Sequence, residues 1–385
     1  MYPPIQTGTS FYSRNLARSL AKAGNSLKVI AFTGENSDTS SALYSVENIP
    51  ALKIPLRNYF KHLRFCSLLP GNYRRVVTIA REFDADVILL INHYLDIAFP
   101  AIVASRINRI PLVCSVGTQL QSCNPLRNQI LHYLDRLICG HLVFPFCDRV
   151  VAWDNEILRY LQEIHRNSVT NKAVIVNFGV NGDVASMLAY DHDYCLHNQI
   201  LGVGAVCEQR SFVPLVEAFA LIAKDFPDMK LKIIGHVYYD AAVKRAHALG
   251  ISNRVVFTGE LEHALVLAEF KRSDAYFVSL TGSYVGLGTA TIEAMFLGIP
   301  AIANVPANLL GKAMLRDMED IILCYGLSSP DIADKMRTLF GSEEMRKKIG
   351  MHGRNFVAKN LDWKKVAQDM DEQLSSVISE YNRRR

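Results

Sequence analysis

The chain has little that would mark it as secreted, metal-bound or membrane-spanning. Its eight cysteines include no CxxC pair, and neither Cys114 with Cys123 nor Cys139 with Cys147 has zinc-ligand spacing. Scattered single thiols suit a reducing cytosol and structural roles. Met1-Tyr2-Pro3-Pro4 is neither basic nor apolar, so no secretory signal is read there. No run of about 18 apolar residues occurs, so no apolar spanning helix is expected. Low-complexity tracts are absent. Charge of one sign is also missing locally: no acid falls between Glu47 and Glu82. That gap holds Lys53, Arg57, Lys61, Arg64, Arg74, Arg75 and Arg81, interleaved with Tyr59, Phe60, Leu63, Phe65, Leu68 and Leu69. Residues 1–190 carry 19 Lys/Arg against 13 Asp/Glu, and residues 191–385 carry 23 against 24. A basic, aromatic surface helix can lie on an anionic membrane; a solvated basic face is the plainer alternative. The net charge of +5 is modest and no nucleic-acid module motif is present, so no nucleic-acid partner is expected.

What is there is an alternation of helices and apolar strands over 385 residues, half of them hydrophobic. That length suits two domains, and the alternation suits parallel sheets with helices on both faces. In the first half, strands are expected at Leu27–Phe32, Asp86–Ile91, Pro111–Val116, Arg149–Trp153 and Ala173–Asn177. The helices expected with them are Tyr12–Ala23, Ile97–Asn108, Leu126–Cys139 and Glu156–Glu163. The polar segment Asn181–Asn198 breaks the pattern and reads as a linker. A second alternation starts at Gln199–Val206 and runs to Asp331–Phe340, followed by helices at Glu343–Asn360 and Trp363–Tyr381. The fold expected is α/β, with two Rossmann-like doubly wound domains facing a cleft. The domains are 1–180 and 199–360, joined by 181–198, with a terminal helical segment at 361–385.

A strand is missing at one place. Gly8-Thr9 and the Tyr12–Ala23 helix look like the first glycine loop and helix of a doubly wound domain, yet no strand precedes them. Either the domain lacks its first strand or the true start lies upstream, and the second reading is favoured. An absent central strand would leave neighbouring backbone unpaired.

The most informative stretch is residues 279–303, SLTGSYVGLGTATIEAMFLGIPAIA. Gly282, Gly286 and Gly288 form a loop of bare amides that feeds a helix N-terminus. Free N–H groups and the positive end of the helix dipole both favour a phosphate. Glu293, one turn further in, can accept hydrogen bonds from sugar hydroxyls. The site therefore suits a phosphorylated sugar or nucleotide, against the plain reading of an ordinary loop–helix–strand.

With its neighbours this stretch resembles the retaining nucleotide-sugar glycosyltransferases of family 4, which have the GT-B fold. The ordered pieces are Gly204, Arg210, Glu217-Ala218-Phe219, Gly235, Val255-Val256-Phe257-Thr258-Gly259, Ser273–Phe277 and Glu293 through Pro300. Thr7–Gly24, Cys147–Ala152 and Asn177-Phe178-Gly179-Val180 match more loosely. The resemblance implies a nucleoside-diphosphate sugar held mostly by the second domain. Glu293 would take the donor ribose and Arg210 the diphosphate, and the amides of Gly286, Leu287, Gly288 and Thr289 would face the diphosphate and sugar. Gly204 ends the first strand, Thr258–Leu261, including Gly259 and Leu261, would border the base, and Gly8 and Thr9 would close over the phosphates. Arg210 and Glu293 are the residues expected to carry catalysis, and Trp363 would begin a helix crossing back to the first domain.

Three positions depart from the family pattern. Val285 stands where the first acid of E-x7-E belongs, and Ala205 where an Arg usually follows Gly204. Gly117-Thr118-Gln119 stands where a His is expected. His93, Thr118 and Gln119 are the candidates for polar contacts on the acceptor side. No cofactor and no metal are implied: Asp84-Ala85-Asp86 reads as a turn and Asp191-His192-Asp193 lies in the linker. The acceptor implied is a sugar or lipid-linked hydroxyl, in glycolipid or surface polysaccharide synthesis, on a cytoplasmic protein peripheral to the inner membrane face. A catalytically impaired GT-B binding protein or subunit and a GT-B sugar-nucleotide epimerase stay open as alternatives. A dinucleotide fingerprint at Gly202-Val203-Gly204 fails, because position 207 is Cys.

Overall fold

The computed structural model describes residues 8–32, 41–52, 65–94, 96–122, 124–180, 189–208, 210–278 and 286–385. The chain divides into two units: Met1–Gly179 with Trp363–Arg385, and Val180–Asp362.

The first unit runs α1 (Gly8–Lys22), β1 (Lys28–Ala31), β2 (Ser45–Asn48), α2 (Pro70–Glu82), β3 (Ile88–Ile91) and α3 (Ala98–Asn108). It continues with β4 (Leu112–Val116), α4 (Pro125–Leu142), β5 (Arg149–Ala152), α5 (Asn155–Val169) and β6 (Ala173–Ile175). Strands β3-β4-β5-β6 form one parallel sheet and β1-β2 a separate parallel pair. All five residues of β4 are buried, as its unbroken apolar run requires when helices cover both faces. Helix starts are chemically set. Asn124 accepts from the Arg127 amide at 3.0 Å ahead of Pro125, and Asp154 accepts from the Ile157 amide at 2.8 Å.

This sheet is split. Among the described residues, β1 pairs only with β2 and β3 only with β4. An apolar cavity of about 290 Å³ lies between the two edges, lined by β1, β3, Leu16 and Leu20 of α1, Val76 and Ile79 of α2, and Ala101 of α3. Ile49 donates to the Ala31 carbonyl, and Ile88 donates to the Pro111 carbonyl. Strand alternation therefore turns the backbone groups of Ile30, Leu89 and Ile91 toward the cavity. Among the described residues these groups have no strand partner.

The second unit runs β7 (Gln199–Val203), α6 (Val213–Ile222), β8 (Lys230–Ile234), α7 (Ala241–Ala248), β9 (Val255–Phe257) and α8 (His263–Phe270). It continues with β10 (Ala275–Val278), α9 (Gly288–Phe296), β11 (Ala301–Ala303), β12 (Ile322–Leu323), α10 (Ser329–Phe340) and α11 (Glu343–Asn360). Its six strands are all parallel, in the order β12-β11-β10-β7-β8-β9. Connections reverse direction between β7 and β10, and ligands of such sheets bind beyond the strands' carboxyl ends at that point. Residues 189–198, expected in a linker, pack onto this unit. Tyr190 donates to the Lys271 carbonyl at 3.0 Å, and Arg346 and Arg354 donate to the carbonyls of Tyr194 and Tyr190. Residues 181–188 lie outside the described residues.

The last helix, α12 (Trp363–Arg383), belongs to the first unit. The Trp363 ring packs against Tyr12 at 5.6 Å and over Gly179, and Arg149 pairs with Glu380 at 2.7 Å. No described helix is long and apolar enough to cross a membrane. Of the basic stretch 52–81, residues 53–64 lie outside the described residues. The rest is largely α2, which turns Val76, Val77, Ile79 and Ala80 into the core and leaves Arg74, Arg75 and Arg81 exposed. Its apolar face is therefore occupied by the protein itself.

Candidate active site

In the second unit, three adjacent strands end in glycines with left-handed backbone. Gly204, Gly235 and Gly259 follow β7, β8 and β9 with φ of 136°, 147° and 75°. The Gly204 amide donates to Ile234 and the Gly235 amide to Gly259, both at 2.8 Å. A Cβ on Gly235 would sit 2.1 Å from the Gly204 carbonyl oxygen, so the backbones touch and only glycine fits. A Cβ on Gly204 would sit 2.3 Å from Nη1 of Arg210. The Arg210 guanidinium therefore lies flat across the end of β7. Its Nε is buried and has no hydrogen-bond partner among the described residues. A buried cationic donor left unpaired is costly, and an anionic ligand would satisfy it.

Glu293 is buried on α9, and its Oε1 lies 3.1 Å from Nε2 of His263 at the start of α8. The hydrogen bond to Glu293 raises the His263 pKa above its ordinary value, against the opposing effect of burial. Tyr276 on β10 ties the set together. Burial pushes its hydroxyl up to about 12, Arg210 and a hydrogen bond with Thr291 act against that, and Glu293 acts with it. Gly286, Leu287, Gly288 and Thr289 lead into α9; Leu287 turns its side chain into the core, and Thr289 is exposed. Leu261 is half-buried just ahead of α8. The second unit thus brings together Gly204, Arg210, Gly259 and Glu293 near a helix N-terminus. Gly282 and Val285 lie outside the described residues.

The first unit sorts its expected polar residues differently. Gly8 and Thr9 are not a loop but the first turn of α1. Asn92 donates to the Thr9 hydroxyl at 3.0 Å and accepts from the Gly117 amide at 3.1 Å. The Tyr94 hydroxyl is hydrogen-bonded with Thr118 and Thr9, although burial dominates and raises its pKa. Thr9 and Thr118 are therefore linked through Asn92 and Tyr94, which sequence reasoning passed over. Asn92-His93-Tyr94 ends a strand, so alternate residues face opposite ways. His93 turns inward and is buried, which corrects its expected place as a cleft-facing acceptor contact. Its Nε2 lies 3.2 Å from Oδ1 of Asp135, whose Oδ2 lies 3.0 Å from Nε2 of His165 and accepts from the Tyr160 hydroxyl.

Burial would raise the Asp135 pKa, but the adjoining imidazoles of His165 and His93 outweigh it, and the carboxylate is held well below its ordinary range. Burial lowers the His165 pKa, so its imidazole is held neutral and donates to the carboxylate through Nε2. These three residues are the one group of metal-type ligands brought together among the described residues; His165 bonds Asp135 through Nε2, while the His93 ring nitrogens and Asp135 Oδ1 have no hydrogen-bond partner among those residues. Gln119 is also inward, its amide 3.3 Å from the Glu156 carbonyl at the start of α5. At Gly117, a Cβ would fall 2.1 Å from the Trp153 ring, so that ring occupies the room a side chain would need.

The profile "Glycosyl transferases group 1" matches residues 197–356, and "Glycosyltransferase Family 4" matches residues 7–183. An uncharacterized glycosyltransferase of Methanocaldococcus jannaschii is 24% identical over 63% of this chain and 62% of its own length. The phosphatidyl-myo-inositol mannosyltransferase of Mycobacterium tuberculosis is 24% identical over 95% of this chain and 92% of its own. The crystal structure of Anabaena HepE in complex with UDP and glucose superposes with a TM-score of 0.64. It is 16% identical and covers 98% of each chain.

Proposed function

Because the chain belongs to the group 1, family 4 glycosyltransferases and has their GT-B fold, we propose that it moves a sugar from a nucleoside-diphosphate donor to an acceptor hydroxyl with retention at the anomeric carbon. The observation that carries this reading is the buried Nε of Arg210, laid against Gly204 and without a partner among the described residues, with Arg210 and Glu293 both acting electrostatically on Tyr276. A nucleoside diphosphate offers what this arrangement lacks: anionic oxygens for Arg210 and the α9 amides, and ribose hydroxyls for Glu293. As the bond from the anomeric carbon to the diphosphate breaks, negative charge gathers on the leaving oxygen, and fixed donors there lower the barrier. The acceptor oxygen forms the new bond and its proton leaves on the departing diphosphate, the base nearest that face. Arg210 and the amides supply the positive charge, so we read the reaction as independent of a metal.

The acceptor we propose is a lipid-linked or glycolipid hydroxyl at an anionic membrane face. The basic surplus of residues 1–190 supports it, as does likeness to a mannosyltransferase named for a phosphatidyl-inositol acceptor. The test is a panel of UDP-, GDP- and ADP-sugars read by thermal stabilisation and turnover. One donor class is expected to stabilise the protein and release its nucleotide. If none binds and none is consumed, the reading falls.

A further inference from the structure

Helix α4 presents an apolar face to solvent. Leu126, Ile130, Tyr133 and Leu137 recur at the spacing of one helical stripe, with Leu134 beside them, and all five are exposed, Leu126 by 67% and Tyr133 by 64%. At 100° per residue the stripe has Arg127 on one flank and Arg136 on the other. The helix's one acid, Asp135, points the opposite way and is fixed inside by His165 and Tyr160. An inward anchor, an outward apolar stripe and flanking arginines define a face that a soluble monomer seldom leaves open, and the exposed acid nearby is Glu163 of α5, on the His132 side.

We propose that α4 is a membrane-docking face that lies on an anionic lipid surface, with the leucines and Tyr133 at the acyl boundary and Arg127 and Arg136 among the headgroups. The choice of occupant rests on charge complementarity: the stripe's rim is basic, and the half of the chain that carries it has a surplus of six positive charges. A second copy of the chain would bring Arg127 and Arg136 against like charge. The inference deepens the proposed membrane acceptor and rests on it for its purpose. It also moves the contact from the 52–81 stretch, whose helix α2 spends its apolar face on the core, to α4.

The probe is vesicles of phosphatidylcholine with about 30% phosphatidylglycerol, floated with the full chain and without donor or acceptor. Binding is expected to be at least about tenfold tighter than to phosphatidylcholine alone and to weaken several-fold between about 50 and 500 mM salt. The pair Leu134→Asp and Leu137→Asp should cut it at least about tenfold with an unchanged circular dichroism melt. Leu221→Asp, an exposed leucine of the second unit, should leave it unchanged. Arg127→Glu should erase most of the preference for anionic lipid. Vesicle binding that survives the double substitution overturns the proposal. So does the absence of vesicle binding together with a dimer, seen by sedimentation, that the same pair dissociates. If no donor is turned over while vesicles still bind, the transferase reading fails and the docking face stands.

Discussion

The two units share an architecture and treat charge in opposite ways. The second has an unbroken six-stranded parallel sheet, and its polar groups gather at the strands' carboxyl ends, where the buried Nε of Arg210 has no partner among the described residues. The first has a split sheet, buries Asp135 between two imidazoles, and turns leucines outward on α4. A complete sheet under covered faces leaves its chemistry at one rim. In the first unit, buried polar groups fix helices in place and apolar groups are left for a partner. The difference predicts that substitutions in the first unit will mainly cost stability and those at the second unit's rim will mainly cost ligand affinity and rate.

The sharpest break of that contrast is Asp135→Ala. Removing a buried charge that His165 and Tyr160 hydrogen-bond should destabilise the first unit by about 3–5 kcal/mol, read as a lower denaturant midpoint, while any nucleotide affinity of the second unit holds. Next in size, Arg210→Ala should lower turnover by about 10²–10³-fold, the scale of a lost charge-stabilising donor, with little change in melting; Arg210→Lys should recover part of it. A destabilised protein with normal turnover would reverse the assignment. Glu293→Ala should weaken nucleotide binding by about 1.5–3 kcal/mol in titration calorimetry, the scale of a hydrogen bond to a charged group. An unchanged affinity would remove Glu293 from the donor site.

The smallest effect is acid sensitivity. Burial depresses the His165 pKa, so the unfolded chain takes up a proton below about pH 6.5 that the folded one refuses. The stability contributed at neutral pH is then lost as pH falls, by up to about 1.4 kcal/mol per unit, and the lowered Asp135 carboxyl adds to the loss below about pH 4. Urea midpoints at pH 7 and pH 5 check it. The first unit should weaken toward pH 5, and His165→Gln should flatten that slope.

Much of this was legible in the sequence because it depends on local periodicity. The alternation gave most helices and strands of both units to within a few residues, but not α2 or β12. Glu293, Arg210 and the glycines were visible because strand ends and helix starts have their own chemistry. What was hidden is tertiary. His263 reaches Glu293 across thirty residues, and nothing in its own neighbourhood marks it. His93 was misplaced because alternation at a strand end does not say which side is the core. Short β2 went unread, since Ser45–Asn48 is only half-buried and carries no apolar run. Gly117 acquires its meaning only from Trp153, which stacks on Tyr12 at 3.9 Å.

The gap between β1 and β3 also bears on handling the protein. Two strand edges that face each other across an apolar cavity can accept a strand from another molecule. An added β-strand peptide is expected to bind between these edges and stabilise the first unit, as a thermal melt would read. Amides of Ile30, Leu89 and Ile91 should exchange with deuterium faster than those of β7 and β10, which have neighbours on both sides. Slow exchange at all three amides would show that a strand fills the place between β1 and β3.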